Sequence, residues 1–246
     1  MKKENYSTGE VTLFNGGMDS VALSKLYPKS KLLYFNLHTG YSEAEMQRLP
    51  ERCEVIDIDL GQWERQDKII PMRNLILVSI ASMYGDIIYI GATAGDRVLD
   101  KSSVFLKFSS QILSYLWEPQ HWTTGRDIQV LAPLKMMTKT QIVVACKNKK
   151  ISLQELASES FSCYTPEHEV HTDKLNECGK CKPCFRKWVA FESNGFCLDA
   201  MFREKAARYG LSIRSEILNR GSQEYNETCK AYEAFGGNIA REWFSL

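Results

Sequence analysis

Two groups of residues in this chain have the types and spacing to do chemistry. The first is Asn15-Gly16-Gly17-Met18-Asp19-Ser20, where paired glycines run into a carboxylate and a hydroxyl. Glycine lets the backbone approach a bound group with no Cβ in the way, and a helix opening there aims its first N–H groups and its dipole at an anion. A phosphate fits such a cradle; a cation would not. Asp19 sets a carboxylate beside it, which makes sense if Mg²⁺ bridges the two, and Ser20 adds a first-turn hydroxyl. The spacing is neither Gly-x-x-x-x-Gly-Lys-Ser/Thr nor Gly-x-Gly-x-x-Gly, so this is not a Walker-type loop or a dinucleotide fingerprint. A bare Gly-Gly can also be a plain βα turn; the short apolar strand before it and the two polar residues after it argue for more.

The second group is Cys178-Gly179-Lys180-Cys181-Lys182-Pro183-Cys184, with Cys163 upstream. Four thiolates at this spacing suffice for a closed tetrahedral zinc site, structural in kind. An iron–sulfur cluster accepts the same three-cysteine run, so spacing alone leaves both metals open. Lys180, Lys182, Arg186 and Lys187 would offset the thiolate charge. His168 and His171 lie in the intervening loop and could replace a cysteine, although solvated loop histidines are the simpler account. Cys53, Cys146, Cys197 and Cys229 are scattered and read as ordinary small residues.

The elements that must position these groups follow from short apolar runs alternating with amphipathic segments. The pattern predicts strands at Val11–Phe14, Lys31–Asn36, Glu54–Leu60, Ile87–Gly91 and Ile128–Leu131, and helices at Met18–Tyr27, Glu43–Leu49, Met72–Tyr84, Val104–Trp117 and Lys139–Lys147. Such alternation implies a parallel sheet with helices on both faces and ligands beyond the C-terminal strand ends, where the glycine turn falls. Past about Ile151 the alternation stops. We therefore expect an α/β domain over residues 1–150 and a smaller, mostly helical metal-bearing lobe over 151–246, including helical sequence at Leu198–Tyr209.

Composition bounds the rest. The chain has 246 residues, 44% of them hydrophobic and 25% charged, with a net charge of +1, so there is no global attraction for nucleic acid and a small-molecule substrate is favoured. The N-terminal residues lack the apolar core of a signal peptide, and the most apolar stretch, Asn74 to Ala94, is broken by serines and Gly85-Asp86. The expectation is a cytoplasmic protein with no membrane span, its cysteines thiols or metal ligands.

The glycine loop resembles the Ser-Gly-Gly-x-Asp-Ser loop of the PP-loop ATP pyrophosphatases, with Asn15 in place of the leading serine. Taken with Ser162-Cys163-Tyr164, the cysteine run, Pro71-Met72-Arg73-Asn74, Pro133-Leu134 and Thr138-Lys139, it resembles the 7-cyano-7-deazaguanine synthases, the QueC family, over about residues 9–190. The resemblance implies a PP-loop (adenine nucleotide alpha hydrolase-like) fold with a zinc-bearing lobe and a homodimer. It also implies conversion of 7-carboxy-7-deazaguanine to the nitrile with ammonia and ATP, by adenylation first of the acid and then of the amide. On this reading Leu13, Phe14, Asn15, Gly16, Gly17, Met18, Asp19, Ser20, Val21, Ala22, Arg73, Asn74 and Lys139 hold ATP. Asp19, Arg73 and Lys139 carry the phosphate chemistry, Asp96, Asp100 and Lys101 face the base, and Cys163, Cys178, Cys181 and Cys184 hold zinc.

This sequence departs from the family at Val98–Ser102, where a Gly-Tyr-Pro-Asp-Cys segment is usual, and at Asn36–Gly40, where Asp-Tyr-Gly-Gln is usual. About fifty residues past Phe191 extend beyond the match. Three alternatives stand beside the synthase: an enzyme that adenylates a related deazapurine and conjugates it to a protein or nucleic acid, a PP-loop tRNA thiolase with an iron–sulfur cluster, and a non-enzymatic zinc-stapled binding module.

Overall fold

The structure is a computed structural model that describes residues 7–163 and 177–245; Tyr164, His168 and His171 lie outside the described residues. The chain divides into two compact units, Met1–Asn15 with Leu23–Met136, and Gly16–Ala22 with Met137–Leu246.

The first unit carries five strands, β1 (Glu10–Leu13), β2 (Lys31–Asn36), β3 (Cys53–Asp57), β4 (Ile87–Tyr89) and β5 (Gln129–Leu131), ordered β3-β2-β1-β4-β5 and parallel throughout. That order reverses direction between β1 and β4, and in an open α/β sheet the crevice at such a switch is where ligands bind. The three central strands β2, β1 and β4 are short and apolar because both faces are covered, whereas the edge strands β3 and β5 leave Val55 and Leu131 exposed. Val11, Leu33, Phe35, Ile88 and Val130 pack with Val78 and Ala81 of α3 (Arg73–Ala81) and with Leu113 of α4 (Ser103–Leu116), while Leu32 and Tyr34 are equally buried on the opposite face. Helix α1 (Met18–Leu26) follows the glycine turn, and α2 (Ser42–Met46) follows β2.

The elements fall where alternation places them, but several ends move. The third strand was expected at Glu54–Leu60 and instead spans Cys53–Asp57, because its partner β2 ends at Asn36, paired with Asp57. The helix expected at Met72–Tyr84 opens one residue later, since Met72 sits in the left-handed region at φ 58°. The helix expected at Glu43–Leu49 is the short α2, with Pro50 just downstream.

The second unit is helical: α5 (Lys139–Asn148), α6 (Leu153–Glu159), α7 (Lys182–Glu192), α8 (Ala206–Ser212), α9 (Arg214–Leu218), α10 (Ser222–Phe235) and α11 (Gly237–Ser245). Its centre is aromatic. Trp188 of α7 meets the Tyr232 ring edge-on at 5.1 Å, and Tyr232 stacks on Trp243 at 4.5 Å, all three fully buried. Gly210 is needed where α8 crosses this cluster, because a Cβ there would lie 2.2 Å from the Phe185 ring. The residues past Phe191 thus supply much of the aromatic core. Leu198–Tyr209 is not one helix: a 3₁₀ turn at Asp199–Met201 gives way to extended Phe202, which bridges Glu177 in parallel before α8 begins. Tertiary pairing overrides local helical preference there.

Candidate functional site

The glycine turn is built by backbone geometry. Gly16 has φ +72°, a left-handed conformation that only glycine adopts cheaply, and a Cβ there would meet nothing within 4 Å, so the demand is conformational and not steric. Its carbonyl accepts the Phe161 N–H at 2.8 Å. The Gly17 carbonyl accepts two bonds, from the Val21 N–H and the Ser20 hydroxyl, each at 3.0 Å. Ser20 is buried and helps fix the turn itself, while buried Met18, Val21 and Ala22 anchor the helix by apolar packing. Leu13 closes β1, and Phe14 extends the ladder by donating its N–H to the Leu33 carbonyl at 2.8 Å.

Asp19, in the first turn of α1, meets Lys139 across 120 positions of sequence: Nζ to Oδ1 is 2.6 Å, with each side chain 22% exposed. Lys139 is aimed by a capping box. Thr138 Oγ1 accepts the Gln141 N–H at 3.2 Å, Gln141 Oε1 accepts the Thr138 N–H at 2.9 Å, and the Thr138 hydroxyl donates to Glu227 of α10 at 2.7 Å. Lys139 is therefore the first residue of a rigid helix, and it stands half-sheltered against a carboxylate. Such a pair can exchange its internal attraction for a bridging divalent cation on Asp19 and an anion on Lys139.

In the first unit, Arg73 opens α3 and lies in the electrostatic field of Glu45 and Tyr41. Burial pushes the Glu45 carboxyl up to about 7, opposed by the Tyr34 hydroxyl that donates to it at 3.0 Å and by the Arg73 charge. Burial likewise pushes Tyr41 up to about 12. Asn74 is held by Asp100: the Asp100 carbonyl accepts from its Nδ2 at 3.1 Å, and Asp100 Oδ2 accepts its N–H at 3.4 Å. Asp96 Oδ2 accepts from the Thr93 N–H at 2.8 Å and from Lys101 Nζ at 3.4 Å. The sequence-predicted base-facing residues are thus tied into the loops after β4 and into the start of α3. At the ends of β2 and β3, Asp57 Oδ1 takes Asn36 Nδ2 at 2.7 Å and His38 Nε2 at 2.8 Å, a cluster with no signal in the sequence beyond its polar residues.

The four predicted metal ligands come together. Cys163, Cys178, Cys181 and Cys184 place their Sγ atoms within 4.8 Å of one another, with 3.8 Å between Cys178 and Cys184, 3.9 Å between Cys163 and Cys181, and 3.3 Å between Cys181 and Cys184. Tetrahedral ligation at about 2.3 Å requires sulfurs about 3.8 Å apart, so the donor set fits a thiophilic metal. Hydrogen bonding with the Cys163 thiol is the largest cause that pushes the Cys181 and Cys184 thiols up, and a metal cation would let all four ionise. Gly179, at φ +74°, lets the run pass Glu204, whose carbonyl oxygen a Cβ would strike.

The nearby cations are not general counter-charges. Lys180 pairs with Glu204, Lys182 with Glu216, and Lys187 with Glu177. Sequence reasoning missed Glu177. Its one signal is adjacency to Cys178, because charged residues default to the surface.

The family described as queuosine biosynthesis protein QueC matches residues 44–195, a span that contains Arg73, Lys139 and all four clustered cysteines. Among curated relatives, the chain is similar to a 7-cyano-7-deazaguanine synthase of Hahella chejuensis, 25% identical over 223 residues, covering 75% of this chain and 88% of that protein. It is similar to proteins of the same name from Chlorobaculum tepidum, 24% identical over 225 residues (75% and 92% covered), and from Methanococcus aeolicus, 31% identical over 141 residues (54% and 56% covered). No solved structure matches significantly.

Proposed function

The chain belongs to the QueC family, and from that premise we propose that it is an ATP-dependent carbon–nitrogen ligase that converts 7-carboxy-7-deazaguanine and ammonia to 7-cyano-7-deazaguanine. The observation that carries this reading is the Asp19–Lys139 pair at the opening of a helix behind a left-handed glycine turn. A carboxylate oxygen is a very poor leaving group, so the acid must be primed at the α-phosphate of ATP before ammonia can displace AMP. A second priming, at the amide oxygen, lets that oxygen leave on AMP as the nitrogen loses its protons, which gives the nitrile. The protein's part is to position the reactants and stabilise the developing phosphate charge.

Asn15, Gly16 and Gly17 would cradle the departing pyrophosphate, Asp19 would hold Mg²⁺, and Lys139 with Arg73 would neutralise the charge. Leu13, Phe14, Met18, Ser20, Val21, Ala22 and Asn74 shape and brace the nucleotide site. Asp96, Asp100 and Lys101 are our candidates for the base. Cys163, Cys178, Cys181 and Cys184 would hold zinc, which supplies a structural tie with no open position. Functionally, residues 1–150 serve the nucleotide and 151–246 the metal. We place the enzyme in the cytoplasm as a homodimer without nucleic acid as a direct partner; no helix among the described residues is long and apolar enough to cross a membrane.

A second reading, transfer of an adenylated deazapurine to a protein or nucleic acid, is motivated by the segment Val98–Ser102, where the sequence departs from the family and where Asp100 bonds to Asn74 and Lys101 to Asp96, and by the residues past Phe191. Incubation with ATP, ammonia and 7-carboxy-7-deazaguanine separates the two. The synthase yields AMP, pyrophosphate and the nitrile; AMP without nitrile sinks it in favour of conjugation.

A further inference from the structure

Ser160 to Cys163 is held at every residue. The Ser160 carbonyl accepts Lys187 Nζ at 2.6 Å, the Phe161 N–H donates to the Gly16 carbonyl at 2.8 Å, the Ser162 N–H donates to Glu177 Oε2 at 3.0 Å, and Cys163 joins the thiol cluster. Lys187 also donates to the Ala157 carbonyl at 2.9 Å and pairs with Glu177 Oε1. Both charges are almost wholly buried, at 1% and 2% exposure. While Cys184 is a thiol, Glu177 also accepts from its Sγ at 3.6 Å, and the Glu177 backbone is clamped by the Met201 carbonyl and the Arg203 N–H.

A buried pair of this kind contributes little net stability, and in some proteins it fixes one arrangement of the groups around it. Here its remaining hydrogen bonds go to the cluster, to the segment that meets the glycine turn and, through the Ala157 carbonyl, to the end of α6 that leads into that segment. Gly16 is the residue whose left-handed conformation orients the turn, and its carbonyl direction is fixed by Phe161.

We propose that Lys187 and Glu177 are positioning residues that couple the cysteine cluster to the glycine loop: metal held by the thiols fixes Ser160–Cys163, the Phe161 amide fixes the Gly16 carbonyl, and the loop's affinity for nucleotide rises. This inference rests on the reading of that loop as the ATP site. Neither side chain touches nucleotide; each acts through the strap. Coupling between two sites is reciprocal, so a non-hydrolysable ATP analogue must tighten metal binding by the factor by which metal tightens the analogue, here about tenfold.

The test measures analogue affinity calorimetrically for the zinc-loaded and zinc-stripped full-length protein, and zinc affinity by chelator competition with and without analogue. Equal factors of about tenfold are expected. Phe161→Pro, which lacks the N–H, should retain zinc and lose about tenfold in analogue affinity, while Phe161→Ala keeps the N–H and the affinity. Lys187→Met should lose the zinc dependence of analogue binding, and Lys187→Arg should restore it. Failure of the zinc-loaded wild type to bind analogue overturns the loop reading and this one with it. Wild-type binding with equal affinity in Phe161→Pro and Phe161→Ala overturns the coupling alone, and does so even if the zinc-stripped protein unfolds.

Discussion

At the scale of single residues, the resting state of the loop is an ion pair. Asp19 and Lys139 were each legible from sequence as a first-turn acid and a helix-start lysine, and the family resemblance set both at one phosphate site; their direct ion pair was not legible, since nothing local links positions 120 residues apart. If the pair divides into a cation holder and an anion holder, Lys139→Met should lower kcat/KM for AMP release by about 10²–10³-fold. The Asp19→Ala, Lys139→Met double variant should be little worse than either single, because residues acting as a unit are not additive. Additive losses would show that the two act separately. Glu45 makes a second prediction. Its native carboxyl titrates near 7, against 4.5 for an unperturbed glutamate, so between those values the folded chain holds a proton that the unfolded chain has released. Stability must therefore fall as pH rises through that window and level off above it. In Glu45→Gln the fall is absent, so its melting temperature should gain on the wild type between about pH 5 and about pH 8. A constant difference across that range refutes the assignment.

At the scale of elements, the central strands β2, β1 and β4 were readable because burial on both faces leaves continuous apolar runs. Strand ends were not, because a ladder stops where its neighbour stops, as β3 does at Asp57. Helix α7, which carries Cys184, escaped notice for a different reason: it is buried nearly all round, with Lys187 and Glu192 inside as well as Trp188, so no polar face marks it as a helix. The start of α5 was legible as a Thr-Lys pair, and the capping box explains why that pair has a fixed direction. Thr138→Ala should destabilise the protein by about 1 kcal/mol. It should also reduce AMP release at saturating ATP beyond what the lost stability explains at 25 °C, because the lysine loses its rigid base. A stability loss with unchanged turnover would confine Thr138 to a structural part.

At the scale of the whole molecule, α4 leaves Val104, Phe108, Ile112 and Tyr115 exposed, spaced by four, four and three residues along one face. An apolar stripe of that spacing on an exposed helix is the natural surface for the proposed second copy of the chain. Phe108→Asp with Ile112→Asp should yield the single-chain mass by light scattering where the wild type gives twice that value. A monomeric wild type would remove the dimer.

The closed Asp19–Lys139 contact also sets what the loop can ignore. Free phosphate or sulfate could recruit the ammonium only by stranding its carboxylate, and a bare cation could recruit the carboxylate only by stranding the ammonium. A visitor that arrives with both signs of charge, a polyphosphate already chelating its metal, satisfies both halves in a single exchange. If the loop holds a metal-bound polyphosphate as proposed, the latch would discriminate by ligand composition, and the abundant simple ions of the surrounding solution should compete for it poorly.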